Sequence, residues 1–320
     1  MTEPRWRDMT VEEYHGLPAI SSGGLRCFEK FGPLEYHAQY VAKTKASVES
    51  TARRMGTCFH SAMEDPDNWE AGYEVVPEVA QDQELVESVK STVDSKSKAE
   101  PPQWGVVLNL KKPLHRRYMS LVEEKAKSCG KILLTEEQHA TIDLQISAVY
   151  DNPACREYVG QKNSGNVEMA CVRECPVTGM PMKALVDLLT GDTVVDFKTD
   201  MSLNPDETIR NAEKHGYIFQ AAHYLYVTGR PEHRFITVTS EASLRTGSHC
   251  EANLWHVVPA DLVYAHDKNM AVLEQLKSLD LMGAFSSDEV DSQGVGLVWH
   301  NKGYAADLPL NRLEFSGEGR

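Results

Sequence analysis

The sequence predicts an α/β fold of the α+β kind, a sheet core preceded by a largely helical portion. Three observations predict it. Residues 167–200 read as three consecutive antiparallel strands separated by two turns. A helix start follows at Asn204-Pro205-Asp206-Glu207, and further strands and a helix follow that. In front of all these, residues 21–64 carry helical spacing of apolar residues.

In chain order, residues 1–20 read as an irregular lead-in containing Pro4, Gly16 and Pro18. Ser21 to Ala42 predicts helix interrupted at Gly32-Pro33, because proline cannot continue the backbone ladder. After a polar connection from Lys43 to Ser50, TARRMGTCFHSAMED predicts a second helix, with His60 and Glu64 one turn apart on one face. Tyr73 to Val76 is a short strand candidate. Residues 81–130 carry little pattern; Pro101-Pro102 breaks a charged stretch, and NLKKPLHRRY concentrates Lys111, Lys112, Arg116 and Arg117. Thr135 to Tyr150 predicts a helix opened by a capping box of Thr135 and Gln138, and Pro153 begins another turn or short helix.

The segment ALVDLLTGDTVVDFKTD, residues 184–200, is a hairpin whose register follows from its turn. With Gly191-Asp192 at the centre, Leu189 faces Val194, Leu188 faces Val195, and Asp187 faces Asp196. Lys198 shares the aspartates' side by strand alternation, while Val186, Leu188, Val195 and Phe197 point into a core. Like charges placed opposite are destabilising. A divalent cation relieves this, and oxygen-only ligands suit Mg²⁺ or Mn²⁺ better than Zn²⁺; two solvated aspartates on an outer face are the plainer alternative. With Thr178-Gly179 as the preceding turn, Glu168 faces Leu189 and lies diagonally from Asp187, and Glu174 faces Lys183. Past Asn204 the helix runs through GYIFQAAHYLYV to Gly229 with a break near Gly216, and Tyr217, Gln220 and Tyr224 form one stripe. Arg234 to Ser240 and Asn253 to Val258 read as strands, and Ala260 to Leu281 as helix.

The totals bound the function. The 320 residues suffice for a substantial core. A net charge of −14 argues against a protein coated in basic surface, yet a local basic groove can still hold phosphates. Seven scattered cysteines fit a reducing compartment. The opening MTEPRWRDMT lacks the apolar core of a signal peptide, and no run approaches a membrane span, so the expected location is cytoplasmic.

Five ordered pieces carry a resemblance: GTCFHSAMEDP at 56–66, E-x(5)-EC-P-x-TG at 168–179, KALVD at 183–187, VVDFKTD at 194–200 and GYIFQAAHYLY at 216–226. Together they resemble the PD-(D/E)xK nucleases, specifically the RecB-like branch and within it the RecE-type exonucleases, or exodeoxyribonuclease VIII. The resemblance implies a restriction-endonuclease-like core with a central mixed sheet flanked by helices. The whole chain would be one nuclease domain: residues 1–150 a mostly helical portion contributing His60, residues 165–285 the catalytic core, and residues 286–320 an irregular tail.

The resemblance also implies roles. Asp187 and Asp196 would be the metal-binding acids, Lys198 the signature lysine, His60 a further metal ligand, and Gln220 with Tyr224 the Q-x(3)-Y helix motif. Glu168 matches a family acid, and the backbone carbonyl of Phe197 would add a metal ligand. Lys198 could orient the attacking water and stabilise charge on the phosphate, or act as a base. Arg53, Arg54, Lys111, Lys112, Arg116, Arg117 and Tyr217 are the DNA-binding candidates. One variant of the branch holds an iron-sulfur cluster with three C-terminal cysteines; beyond Cys175 this chain has only Cys250, so no such cluster is expected. Cys171 and Cys175 have no second pair at zinc spacing and read as free thiols.

By resemblance the expected activity is metal-dependent exonuclease action on linear double-stranded DNA, 5′ to 3′. It would leave 3′ overhangs for a single-strand annealing protein in recombination. Relatives of this type are often encoded by phage or prophage and form rings on DNA, which makes a homo-oligomer in a bacterial host's cytoplasm the expectation. Two alternatives stay open: a structure-specific or single-strand endonuclease, and a non-catalytic nuclease-like module that binds DNA or builds assemblies.

Overall fold

In the computed structural model the described residues are 3–45, 50–66, 72–75, 132–163, 165–240 and 249–281, with a few shorter pieces including 314–315. Lys111, Lys112, Arg116 and Arg117, and nearly all of the tail from 286 on, lie outside them. The chain packs as two compact units. Met1–Glu49, Val149–Val238 and Ala252–Arg320 form the first, and Ser50–Ala148 with Thr239–Glu251 the second.

The first unit is built on a sheet that has seven strands among the described residues, in the order β1-β4-β5-β6-β7-β8-β9. These are β1 (Arg5–Arg7), β4 (Val167–Glu174), β5 (Pro181–Thr190), β6 (Thr193–Asp200), β7 (Glu232–Thr239), β8 (Ala252–His256) and β9 (Glu314–Phe315). β1, β4, β5 and β6 pair antiparallel in succession, as do β7, β8 and β9. β6 and β7 are neighbours joined through two helices. The central position of β6 explains its composition: Val194, Val195 and Phe197 are all fully buried, as expected of a strand covered on both faces.

Helices of this unit precede and follow the sheet. Ahead of it come α1 (Val11–Gly16), α2 (Ser22–Phe31) and α3 (Pro33–Tyr36), which passes into a π-helical turn, His37–Val41. The N-terminal stretch is thus more ordered than a lead-in. Thr10 and Glu13 form a reciprocal capping box that starts α1, and β1 pairs with β4. The Gly32-Pro33 break falls where proline predicts it, with Gly32 at a φ of +83°.

The second unit contains α4 (Thr51–Glu64), capped by Ser50 Oγ accepting from Arg53 N–H at 3.2 Å. It also holds the parallel pair β2 (Tyr73–Val75) and β3 (Ile132–Leu134). α5 (Glu136–Asp151) begins in this unit with the expected reciprocal bonds between Thr135 and Gln138, both 3.1 Å. It is followed by α6 (Pro153–Val159), capped by Asn152.

Past β6, α7 (Pro205–His215) starts on Asn204, whose Oδ1 accepts from Asp206 N–H at 3.0 Å, with proline at the first helical position. α7 ends at Gly216, which adopts the left-handed conformation, φ +76°, and hands over to α8 (Tyr217–Thr228). A Cβ at Gly216 would also run into the Arg26 side chain. α8 lies between two cores. Tyr224 and Val227 join Phe28, Val186, Val194 and Leu273 in one, while Ile218, Ala221 and Ala222 join Phe235, Trp255 and Ala265 in the other. Trp255 stacks on Phe235 at 4.3 Å and donates its indole N–H to Thr237 Oγ1 at 2.6 Å, so its one polar atom is satisfied. α9 (Pro259–Leu281) follows β8 and places Val272, Leu273 and Leu276 in the first core.

Candidate active site

The hairpin register is as its turn dictates: Thr190↔Thr193, Leu189↔Val194 and Leu188↔Val195. The backbone ladder ends there, one pair before the two aspartates. In place of a main-chain partner, Phe197 N–H donates to Asp187 Oδ2 at 2.8 Å. Asp187 therefore faces Asp196 by residue count but is oriented by the neighbouring amide.

The β4–β5 register differs from expectation by two residues. Val167↔Leu188 and Met169↔Val186 place Glu168 directly across from Asp187 by count, instead of across from Leu189, and this pair too is absent from the ladder. Glu168 has a φ of +46° and is exposed. The cause is the connection: Cys175 N–H donates to Met180 O and Gly179 N–H to Cys175 O, which centres the turn on Val177-Thr178. Glu174 consequently faces Pro181, and Lys183 faces Val172. Lys183 does not pair with Glu174. Its ammonium donates to Tyr14 O at 2.8 Å and Leu17 O at 3.0 Å, satisfying carbonyls at the end of α1.

Asp196 is 1% exposed and is held from two sides. Gln220 Nε2 donates to its Oδ1 at 2.7 Å. The Lys198 ammonium forms an ion pair with its Oδ2 and donates to the Phe197 carbonyl at 3.3 Å. The ammonium thus stands on two of the oxygens expected to bind a metal, which shows that this donor set accommodates a cation. Burial pulls the Lys198 ammonium down, and the carboxylates of Asp196 and Asp187 together outweigh it, so it is held above the usual lysine range. The ring of Tyr217, 5.3 Å from the ammonium, forms the wall beside it.

The α8 stripe reaches the same place. Gln220 also hydrogen-bonds the Tyr224 hydroxyl, so one amide links the tyrosine to Asp196. Burial pushes the Tyr224 phenol well above its ordinary value, with the carboxylates of Asp196 and Asp187 adding to this. Tyr217 stands against Lys198 rather than at a distance from the chemistry.

One acid on this strand escaped the sequence reading. Asp200, two residues past Lys198, is buried; Asn211 Nδ2 and Met201 N–H each donate to its Oδ1 at 2.6 Å. Burial raises its carboxyl above the ordinary value. Its signal was the alternation Asp196-x-Lys198-x-Asp200, which puts all three on one side of a strand.

In the second unit, His60 Nδ1 lies 3.5 Å from Glu64 Oε1 on α4. Glu64 is buried. Both residues carry donor atoms of the kind that ligate metals. Glu64 was absent from the expected ligand set; its i, i+4 spacing from His60 was the available signal. The two arginines of this helix separate. Arg53 is exposed and falls on the His60 and Glu64 stripe at i, i+7 and i, i+11, whereas Arg54 is half-buried, with its Nε out of solvent.

The hard-oxygen donors Asp187, Asp196 and the Phe197 carbonyl fit Mg²⁺ or Mn²⁺. No helix among the described residues is long and apolar enough to cross a membrane. No curated protein matches the chain. The family profile of the PD-(D/E)XK nuclease superfamily matches residues 20–246, a span that begins just ahead of α2 and includes α4, the hairpin and α8. Covering well over half of the sequence and agreeing with the sheet and helices described, that match makes the chain a member of the PD-(D/E)XK nuclease superfamily, whose chemistry is metal-dependent hydrolysis of phosphodiester bonds.

Proposed function

We propose that this protein is a metal-dependent DNA exonuclease that resects one strand of linear duplex DNA, 5′ to 3′, leaving a 3′ overhang for annealing-type recombination. The observation that carries the hydrolytic part is the convergence of Asp187, Asp196, the Phe197 carbonyl and Lys198 at the end of one hairpin ladder. The exonuclease part is supported by the order of the five motifs, which resembles the RecE type. Its expected partners are duplex ends, a single-strand annealing protein and further copies of the same chain, with a ring as the assembly that would keep the enzyme on its substrate.

In this reading Asp187, Asp196 and the Phe197 carbonyl would hold the metal, with His60 as the further ligand that the motif order suggests. A bound Mg²⁺ or Mn²⁺ would polarise a phosphoryl oxygen and lower the pKa of its water. Phe197 N–H fixes Asp187, and Gln220 fixes Asp196, so both carboxylates are aimed before substrate arrives. Lys198 is an ammonium paired with Asp196, and with a metal on those oxygens it would be placed to stabilise charge on the phosphate. Glu168, across from Asp187 by residue count, would be a further acid of the site, as the motif order suggests. Arg53, on the His60 stripe, contacts backbone phosphate.

The test is digestion of end-labelled linear duplex beside covalently closed circular DNA, with Mg²⁺ or Mn²⁺. Loss of the linear substrate with release of 5′ label, and survival of the circle, is the expected result. Nicking of the circle would replace the exonuclease reading with an endonuclease one.

A further inference from the structure

Outside the metal-ligand set, basic side chains gather where α7 turns into α8. Arg26 of α2 is wedged into this corner: its Nη2 donates to Glu213 O at 3.4 Å, its guanidinium lies 4.9 Å over the Phe219 ring, and it fills the space beside Gly216. One helical turn further on, Lys30 is exposed, as is Lys214 at the end of α7. Both charges act on the His215 imidazole. That ring stacks on Tyr217 at 5.7 Å and 24°, and Tyr217 in turn carries the Lys198 ammonium. A run of contacts therefore leads from Lys198 through Tyr217 to His215, which Lys214 adjoins in the chain; Lys30, whose ammonium lies 5.3 Å over the Phe31 ring, acts on His215 through its charge.

The acids around it do not cancel this charge. Glu29 is paired with Arg26 at 2.7 Å. Asp200 has one oxygen occupied by Asn211 and the Met201 amide, and it is buried. Glu213 remains against Lys30, Lys214 and His215. In a chain of net charge −14, exposed lysines at this corner are a local positive feature that can attract an anionic strand.

We propose that this corner is a track for the substrate strand, in which Lys30 and Lys214 bind backbone phosphates adjoining the scissile one and the exposed His215 ring, backed by Tyr217, supports a base. Alternating cation and ring is the chemistry that holds a single strand without reading its sequence: ammonium groups follow the phosphates, and ring faces accept any base. The inference rests on the nuclease reading above and adds the direction in which the strand leaves the site. Tyr217 is anchored by the core, with its ring 5.8 Å from that of Phe235, while the His215 ring stacked on it is exposed.

The experiment uses the full-length chain in EDTA and a fluorescently labelled oligonucleotide duplex with a single-stranded end, with anisotropy recorded across a salt series. For Lys30→Gln combined with Lys214→Gln, the expected result is about tenfold weaker binding near 0.1 M salt and a log–log salt slope shallower by roughly 1.4 to 1.8, the loss of two phosphate contacts. Lys30→Arg with Lys214→Arg should restore both, and an unchanged melting temperature guards against misfolding. If the Gln variant binds with wild-type affinity and slope while wild type still degrades DNA with Mg²⁺, the track is wrong and the nuclease reading survives. If binding weakens but the arginine variant fails to restore it, charge is not the agent and the track is equally wrong. Wild type that neither binds nor cuts DNA overturns both.

Discussion

Gln220 Nε2 donates to Asp196 Oδ1 at 2.7 Å, tying the middle residue of a helix stripe to the acid at the centre of the sheet. The bond aims a buried carboxylate, and the same amide engages the Tyr224 hydroxyl. Gln220→Leu should lower metal affinity and turnover by about 10- to 100-fold, the usual cost of losing a partner that orients a ligand. Metal titration followed by initial-rate measurement checks it. A variant with unchanged metal affinity and rate would show that Asp196 is oriented without Gln220.

Lys198 places a positive charge beside the buried Asp196 carboxylate. Lys198→Ala leaves Asp196 buried opposite Asp187 with no cation, which should cost about 3 kcal/mol in EDTA. Mg²⁺ should recover more stability in the variant than in wild type, while cleavage falls by about 10²- to 10³-fold. Thermal denaturation with and without Mg²⁺ reads the first effect and a rate assay the second. Equal destabilisation in both conditions would argue that Lys198 is only a packing element.

Two buried histidines make the fold acid-sensitive. Burial holds His223 down to about 4, and burial with the charges of Lys198 and Arg234 holds His233 down to about 3. Both stay neutral when folded, but in the unfolded chain they protonate near their ordinary value of about 6.5. The unfolded state therefore binds more protons below that value, and stability falls as pH drops from about 6.5 toward 4. At pH 5 each histidine contributes on the order of 2 kcal/mol of this loss. His233 lies 4.4 Å from the Phe235 ring, so His233→Phe suits its surroundings. Denaturant titrations at pH 7 and pH 5 should show the variant losing about 2 kcal/mol less than wild type; an identical loss would remove His233 from the account.

Gly216 is required twice over. Its φ of +76° favours glycine, and Arg26 fills the space a side chain would need. Gly216→Ala should destabilise by about 2 kcal/mol and, by shifting the start of α8, reduce activity more than stability alone explains. Urea unfolding and turnover measured together test this. A stable, fully active Gly216→Ala protein would mean the α7–α8 corner does not position Tyr217 and Gln220.

Legibility in the sequence followed the local constraint at each point. The Gly191-Asp192 hairpin was readable pair by pair, because a two-residue turn leaves one register. The longer Pro176–Pro181 connection left freedom for a two-residue slip, and Glu168, Glu174 and Lys183 moved with it. That slip kept side chains on their expected faces, since it is an even number. Gly216 announced the α7–α8 break and proline the α2–α3 break, but the Thr10 to Glu13 capping box was overlooked among the prolines and glycines of the first twenty residues. The helix stripe of Tyr217, Gln220 and Tyr224 was correct as periodicity, yet periodicity does not tell that Tyr217 would stand against Lys198. Nor could it separate Arg53 from Arg54, which differ by 100° around α4, before the buried face of that helix was known.

The central claim is that Asp187 and Asp196 form a metal clamp for phosphodiester hydrolysis, and the most direct measurement is Mg²⁺ binding by calorimetry run in parallel with duplex degradation for wild type and Asp196→Ala. The account predicts saturable Mg²⁺ binding and DNA degradation by wild type, with both lost in the variant, degradation by a thousandfold or so. Undiminished Mg²⁺ binding and cleavage in a folded Asp196→Ala protein would contradict it.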